Sequence, residues 1–117
     1  ELIVVDGGSD DRTVGLAAPL ADQILVGPKG RASQMNAGAR RASGEILWFL
    51  HADSIPPEDA AERIRAALAN PSRHWGRFDV RLSGSHPLLR VVETLMNFRS
   101  ALTGIATGDQ GIFVRRA

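Results

Sequence analysis

Three short apolar segments alternate with helical patterns in the first half of the chain, and this order constrains the fold more than any other feature. The predicted strands are Leu2 to Val5, Ile24 to Val26 and Ile46 to Leu50. Helices are predicted from Asp10 or Asp11 to Ala18, from Arg31 to Ala42, and from Pro56-Pro57 to Asn70. Such alternation is typical of parallel α/β packing with right-handed crossovers. The sequence therefore predicts an α/β fold with a mostly parallel sheet flanked by helices.

The order of elements changes in the second half of the chain. Trp75 to Leu82 and Ile112 to Arg115 are predicted strands, and Pro87 to about Leu102 is a predicted amphipathic helix. Polar residues interrupt the apolar surface of this helix. We therefore expect its apolar side chains to pack in the core rather than to anchor the chain in a membrane.

Length and composition fit one folded domain. The 117 residues are 44% hydrophobic, which allows one core, and we expect a single domain over residues 1–117. Both ends lie inside strand-like segments, so we expect this domain to be truncated at both ends. The 14 Lys and Arg nearly balance the 13 Asp and Glu, which gives no indication of a nucleic-acid partner.

The sequence contains no cysteine, and no segment has the length and apolarity of a membrane span. The missing thiols exclude disulfides and thiolate metal sites in this chain. We expect a cytoplasmic protein without a transmembrane segment. Peripheral contact with the inner face of the membrane stays open.

Two acidic residues follow predicted strands, which is where ligands bind in open α/β sheets. Asp6 comes after the first strand and Asp53 after the third, and in a parallel sheet both would face one crevice. The turn Gly7-Gly8-Ser9 brings the backbone close to a ligand, since glycine has no side chain. The same segment is equally explained as an ordinary turn in which Asp6 is a capping residue.

Of the two segments that carry an acid after a strand, His51-Ala52-Asp53 indicates a function more specifically than the Asp6 turn. A carboxylate that holds a hard divalent cation neutralises the oxygens of a departing diphosphate. Oxygen ligands suit Mg²⁺ or Mn²⁺, and the imidazole of His51 favours Mn²⁺ slightly. The alternative is structural, with Asp53 capping the next helix and His51 a histidine whose hydrogen bonds are satisfied.

The segment from Lys29 to Ala39 has the features of an anion site. Gly30 precedes a helix that begins with Arg31, so backbone donors, the helix dipole and two cations are available there. Asn36 borders the apolar stripe of this helix, and we expect it to be partly buried and hydrogen-bonded to the Asp6 loop. Alternatively, Arg31 is only a solvated helix residue.

The last candidate segment runs from Thr107 to Gly111. Glycines on both sides of Asp109-Gln110 indicate a tight loop that exposes both side chains to the crevice. A plain turn explains this segment as well.

Taken in order, these segments resemble the family-2 glycosyltransferases. The stretch Val4-Val5-Asp6-Gly7-Gly8-Ser9-Asp10-Asp11-Arg12-Thr13 looks like the family's Val-Val-Asp-x-x-Ser-x-Asp-x-Thr. Gly30-Arg31 with Asn36-Ala-Gly38 follows, and His51-Ala52-Asp53 stands where the family usually has Asp-x-Asp. Phe49-Leu-His-Ala-Asp53 and Gly108-Asp-Gln-Gly-Ile-Phe look like a bacterial subgroup of these enzymes.

The resemblance implies a GT-A fold, which is Rossmann-like, without its first strand and its C-terminal part. It implies inverting, metal-assisted transfer of a sugar from a UDP- or GDP-sugar, with Mg²⁺ or Mn²⁺, to an unidentified saccharide, lipid or small-molecule acceptor. By residue, the resemblance places the metal at Asp53 and His51. The donor site that it implies consists of Asp6, Gly8, Ser9, Arg31, Asn36, Ala52 and Asp53.

Two departures from the family pattern concern the metal and the catalytic base. His51 replaces an acid, and the Glu-Asp pair that usually carries the base, beyond the last strand, is not present. Glu58-Asp59 does not replace it, because this pair lies in the first turn after the metal loop. We expect that base beyond Ala117, with Asp109 as a lower-ranked candidate on the acceptor side. A non-catalytic or regulatory module that binds a nucleotide sugar on the same fold is the alternative function.

Overall fold

The computed structural model describes residues 1–116, and the side chain of Asp109 lies outside this description. The elements in chain order are β1 (Ile3–Asp6), α1 (Thr13–Ala17), β2 (Gln23–Val26), α2 (Arg31–Arg41), β3 (Ile46–Trp48), α3 (Ala60–Ala67), β4 (Trp75–Gly76), α4 (Pro87–Thr103), the 3₁₀ helix η1 (Gly108–Gln110) and β5 (Phe113–Arg115). The chain forms two compact units, Glu1–Leu47 and Trp48–Ala117. The single domain truncated at both ends stays a prediction.

The first unit is a strand, helix, strand arrangement with parallel pairing, as the sequence predicts. β1 pairs with β2 in parallel, with Ile3 opposite Gln23 and Asp6 opposite Val26. α2 packs on β1, and a methyl group added at Gly38 would lie 3.2 Å from Cγ2 of Val5. The missing side chain at Gly38 therefore lets the helix approach the strand closely.

The observed sheets agree only in part with the prediction of a mostly parallel sheet. The described strands form a parallel pair, β1-β2, and a three-stranded sheet in the order β3-β5-β4. β4 and β5 run antiparallel, with Trp75 opposite Val114 and Gly76 opposite Phe113. The fold is α/β as predicted, but the parallel sheet has only two strands.

The strand predicted over Trp75 to Leu82 is much shorter in the structure, because side chains of α4 replace a neighbouring strand. Asn97 accepts a hydrogen bond from the amide of Val80 (2.9 Å) and donates one to the carbonyl of Val80 (3.0 Å). The carboxylate of Glu93 accepts from the amide of Leu82. Backbone groups of this extended segment are thus satisfied without a ladder.

The core of the second unit is built from α3 and β5. Ala60, Ile64 and Leu68 are buried along one face of α3, at the spacing that the sequence shows. Phe113 of β5 is also buried, and its ring lies 5.7 Å from that of Phe78, which lies 5.8 Å from that of Trp48. These three aromatic residues line the cleft of the second unit.

α4 has the predicted bounds, but the side of the helix that faces its unit is the opposite of the expected one. His86 caps its first turn by accepting from the amide of Leu88 (3.2 Å), and Gly104 ends it with φ of 68°. The buried residues of the helix are Glu93 and Ser100, whereas most of its large apolar side chains are exposed and only Leu89 and Met96 are half-buried. The prediction that the apolar side of α4 packs in the core is therefore wrong, because the polar side is used to bond the segment after β4. Within residues 1–116, no helix is long and apolar enough to cross a membrane.

Candidate functional site

Asp6 closes the loop that follows β1 around its own carboxylate. One oxygen accepts the amides of Gly8 and Ser9, both at 2.8 Å, and the other accepts the Ser9 hydroxyl at 2.5 Å. The residue is only 6% exposed. The capping interpretation of Asp6 therefore describes its contacts, and the carboxylate fixes the shape of the Asp6-Gly7-Gly8-Ser9 loop.

These hydrogen bonds also determine the ionisation of Asp6. The Ser9 hydroxyl and then the Ser9 amide lower the pKa of the Asp6 carboxyl below its usual value. Burial opposes this less strongly than either Ser9 bond, and the Gly8 amide adds the smallest lowering effect. The group is therefore a carboxylate at neutral pH. Gly8 and Ser9 are exposed, and Gly8 has φ of 88° with open space beside its Cα. This part of the loop can be approached by a ligand.

Gln34, which the sequence pattern does not single out, links α2 to the strand that carries the Asp6 loop. The Gln34 amide donates to the carbonyl of Val5 (3.1 Å), and its nitrogen would lie 2.9 Å from a methyl group at Gly7. The expectation that Asn36 is partly buried against this loop is wrong, because Asn36 is exposed and Gln34 faces β1 instead. Gln34 lies four residues before Gly38, which marks the same inward face of the helix.

The amino end of α2 has the predicted form. Gly30 caps it with φ of 126°, a conformation that glycine adopts readily, and Arg31 is the first helical residue and is exposed. The Gly30 carbonyl accepts from the amide of Gln34 at 3.0 Å. Amides of the first turn thus point outward from an eleven-residue helix in the same unit as the Asp6 loop.

The second unit contains a cleft of about 910 Å³. Asp53 lies on it, in the loop between β3 and α3, and Asp53 and Ala52 are both exposed. α3 begins only at Ala60, after Asp59, so Asp53 is not the residue that caps this helix. The remaining wall of the cleft combines apolar, polar and charged residues, and includes Trp48, Ile55, Arg77, Phe78, Asp79 and Arg81.

His51 is oriented differently from Asp53. A methyl group at Gly108 would lie 2.8 Å from Nε2 of His51 and 3.0 Å from Cε1, so this edge of the imidazole packs against η1. The backbone carbonyl of His51 accepts from the amide of Ser54 at 3.0 Å, which forms the turn that carries Asp53. The contacts of His51 are those of a residue that supports the loop.

The loop before β5 is held by a capping box. The Gln110 side chain accepts from the amide of Thr107 at 2.9 Å, and Thr107 caps η1 in return. Gln110 is 1% exposed, so the prediction that this loop exposes its side chain is wrong. The Thr107-x-x-Gln110 spacing is the sequence signal for this box. Asp109 lies between them in η1, and its side chain lies outside the described residues.

Arg77 and Asp79 pair on the same cleft. The guanidinium contacts the Asp79 carboxylate and donates to the carbonyl of Asn97 at 3.1 Å. The Arg77 side chain is 14% exposed and that of Asp79 is 73% exposed. The pair therefore fixes the start of the extended segment after β4 and leaves the carboxylate at the surface.

Asp6 and Asp53 belong to different units, and the shared crevice predicted for them stays a prediction. The structure brings together Asp6, Gly8 and Ser9 in one loop of the first unit, where Arg31 and Asn36 lie on α2. It places Asp53, Ala52 and His51 on one loop of the second unit. Among the described side chains, which do not include that of Asp109, no group of three or more His, Asp or Glu is positioned to hold a metal ion.

Comparison with known proteins identifies the family of this chain. The sequence model of glycosyl transferase family 2 matches residues 1–113. Uncharacterized glycosyltransferases of Mycobacterium tuberculosis, one from the CDC 1551 strain and one from the H37Rv strain, are each 38% identical over 84 residues. The match covers 65% of this chain and 32% of each relative, so it spans about a third of their length. No solved structure matches.

Proposed function

Because this chain belongs to glycosyl transferase family 2, we propose that it binds a nucleoside diphosphate sugar and serves its transfer, with inversion, to an acceptor. The family implies the GT-A fold. In this proposal the donor is a UDP- or GDP-sugar, the cation is Mg²⁺ or Mn²⁺, and the acceptor is a saccharide, a lipid or a small molecule. Asp53, exposed on the cleft of the second unit, is the observation on which the proposal depends most.

The first unit contributes the nucleotide part of the proposed site. Asp6 fixes the loop by accepting the amides of Gly8 and Ser9 and the Ser9 hydroxyl, and the exposed surface of Gly8 and Ser9 lies at the end of β1. A base or ribose with polar edges fits such a loop. Because the loop is already ordered, binding loses no further conformational entropy there. Arg31 and the first amides of α2 supply positive potential for the phosphates.

The donor set of the second unit fits a hard cation held by one carboxylate. Mg²⁺ is commonly held by one or two carboxylates together with substrate phosphates and water. Asp53 is exposed and available for this, whereas Nε2 of His51 packs against Gly108. We therefore assign the cation to Asp53 and the orientation of its loop to His51. When bound, the cation supplies stabilisation of the negative charge on the leaving diphosphate.

Two further requirements of the transfer are exclusion of water from the reacting sugar and removal of the proton from the acceptor hydroxyl. The apolar wall at Trp48 and Phe78 restricts water around the reacting sugar. The acceptor hydroxyl must lose its proton to a carboxylate. Asp109 is the candidate base within this chain.

The test is thermal unfolding with UDP and GDP, each with and without Mn²⁺. We expect a nucleotide to raise the melting temperature only with Mn²⁺, since a ligand of the native state stabilises it. A chelator should remove the rise, and Asp53→Asn should abolish it. The matched control is Asp59→Asn, since Asp59 is an exposed carboxylate in the same unit, paired with Arg63. An undiminished rise in Asp53→Asn would contradict the metal role.

A further inference from the structure

The charged side chains on the cleft of the second unit differ in whether the fold already uses their charge. They are Asp53, Arg63, Arg77, Asp79 and Arg81. Arg63 pairs with Asp59, and Arg77 pairs with Asp79. Within the part of the chain that the structure describes, the side chains of Asp53 and Arg81 form neither a hydrogen bond nor an ion pair. The cleft therefore offers a ligand one available negative charge and one available positive charge.

Two side chains of α4 hold the backbone on both sides of Arg81. Asn97 accepts from the amide of Val80 at 2.9 Å and donates to its carbonyl at 3.0 Å. The amide of Leu82 donates to the carboxylate of Glu93. The position of Arg81 along the cleft wall is thus set before a ligand arrives, which limits the entropy that binding costs.

The exposure of this segment alternates from residue to residue. Val80 and Leu82 are half-buried, whereas Asp79 and Arg81 are exposed. Asp79 does not cancel the charge of Arg81, because the guanidinium of Arg77 already opposes its carboxylate. Arg81 is therefore an accessible cation on the wall of the cleft, and the fold does not depend on its side chain.

We propose that Arg81 binds a phosphate group of a substrate in this cleft, an inference that rests on the proposed function. A guanidinium presents planar, charge-assisted donors that match two oxygens of a phosphate. The cleft of about 910 Å³ has the size of a ligand site, for which roughly 300–1,000 Å³ is usual. Sugar transfer brings a phosphate there either as the diphosphate of the donor or as a phosphate carried by the acceptor.

The pairing of Arg81 with Asp53 in one cleft supports this assignment. The proposed function assigns a divalent cation to Asp53, which neutralises part of the charge of a bound phosphate. A phosphate carries more negative charge than one such contact offsets, and Arg81 is the cleft arginine whose charge no carboxylate already opposes. We therefore expect the guanidinium and the cation to act on the anionic part of the same substrate complex.

Isothermal titration calorimetry with UDP and GDP, each with Mn²⁺, tests the donor as the source of the phosphate. In that case Arg81→Gln should raise the dissociation constant of the nucleotide by about tenfold or more, since a charge-assisted pair of hydrogen bonds is lost. Arg81→Lys should retain part of the affinity, because it keeps the charge but not the paired donors. Uridine and guanosine have no phosphate and should not distinguish Arg81→Gln from the wild type.

Methyl phosphate, titrated into protein saturated with nucleotide and Mn²⁺, tests the acceptor as the source. In that case Arg81→Gln should leave the nucleotide constant unchanged and weaken methyl phosphate by about tenfold or more. The matched control for both titrations is Arg65→Gln, since Arg65 is an exposed arginine of the same unit that does not line the cleft. The melting temperature of each variant without ligands should equal that of the wild type, because both arginines are exposed.

The outcomes separate this inference from the proposed function. If the wild type binds nucleotide with Mn²⁺, and Arg81→Gln binds nucleotide and methyl phosphate equally well, the role of Arg81 is overturned and the proposed function stands. Equal losses in Arg65→Gln and Arg81→Gln would overturn it as well, since the effect would then be one of net charge. A wild type that binds neither nucleotide nor methyl phosphate would overturn both.

Discussion

In the first unit Asp6 is 6% exposed and accepts three hydrogen bonds from its own loop, whereas in the second unit Asp53 is exposed on a cleft of about 910 Å³. Asp6 ends β1 and Asp53 lies in the loop after β3, and sequence position alone makes them equivalent. Their surroundings differ because glycines and a serine after Asp6 turn the chain back onto its carboxylate. After Asp53 the chain continues into Ile55-Pro56-Pro57, and proline has no amide hydrogen to donate. The comparison teaches that the first aspartate shapes a loop and the second is left available to a ligand.

The largest effect should come from removing the available carboxylate. On the proposed function, we expect Asp53→Asn to lower the rate of sugar transfer by about 10²-fold or more, the magnitude for loss of a major electrostatic group. Its melting temperature without ligands should stay unchanged, because Asp53 is exposed. Steady-state kinetics and thermal unfolding of the same preparations check both parts, with Asp59→Asn as the control. A folded variant with normal activity would break the comparison.

The next largest effect concerns how tightly each unit is packed. A methyl group at Gly76 would lie 2.4 Å from Cζ of Phe113, which is buried, so Gly76→Ala must displace this ring. We expect it to reduce the free energy of unfolding by about 1–3 kcal/mol. Gly38→Ala in the first unit, with 3.2 Å to Val5, should cost less. Urea unfolding measures both.

Gly15→Ala serves as the control for these glycine substitutions. Gly15 lies in α1 and a methyl group there meets nothing within 4 Å. Because alanine favours a helix over glycine, this variant should gain about 0.5–1 kcal/mol. Equal losses at Gly76 and Gly38 would show that the contact at Phe113 relaxes more easily than the structure indicates.

A smaller effect should follow from Asp6. Asp6→Ala removes the acceptor of the Gly8 and Ser9 amides and leaves them without a partner in the loop. We expect the melting temperature to fall by about 5 °C. Asp10→Ala is the control, since Asp10 is an exposed acid of the same loop. If Asp6→Ala melts like the wild type but no longer binds nucleotide, Asp6 belongs with Asp53 as a ligand-binding group.

The contrast between the units also shows what the sequence could predict. Apolar spacing placed the buried side of α3 and the parallel pair β1-β2, because both depend on contacts between near neighbours or on one crossover. It misplaced the apolar side of α4, which is exposed, and the glycines around Asp109-Gln110 wrongly predicted an exposed Gln110. Side chains of α4 bond the segment after β4 over long sequence distances, and no local pattern shows such bonds. Periodicity identifies the apolar side of a helix, but which side faces the unit depended here on polar partners elsewhere.

The smallest effect is a dependence of stability on pH that originates in the first unit. Hydrogen bonds lower the pKa of Asp6 through Ser9, that of Asp11 through Thr13 and that of Glu1 through Ser43, relative to ordinary values of 3.8 for Asp and 4.5 for Glu. A lowered pKa in the folded state means that the unfolded chain binds more protons in this range. Stability from these groups is therefore present above about pH 4.5 and is lost as the pH falls through the lowered values.

Urea midpoints between about pH 6 and pH 3 measure this loss. Ser9→Ala keeps the Asp6 carboxylate but removes the side-chain hydrogen bond that lowers its pKa most, so its midpoint should fall less steeply with acid than that of the wild type. Asp6→Asn should flatten the dependence further, because it removes the titrating group itself. An acid dependence as steep in both variants as in the wild type would mean that the Asp6 loop opens in solution. In that case Asp6 and Asp53 would both be available to a ligand, and the difference between the two units would lie in packing alone.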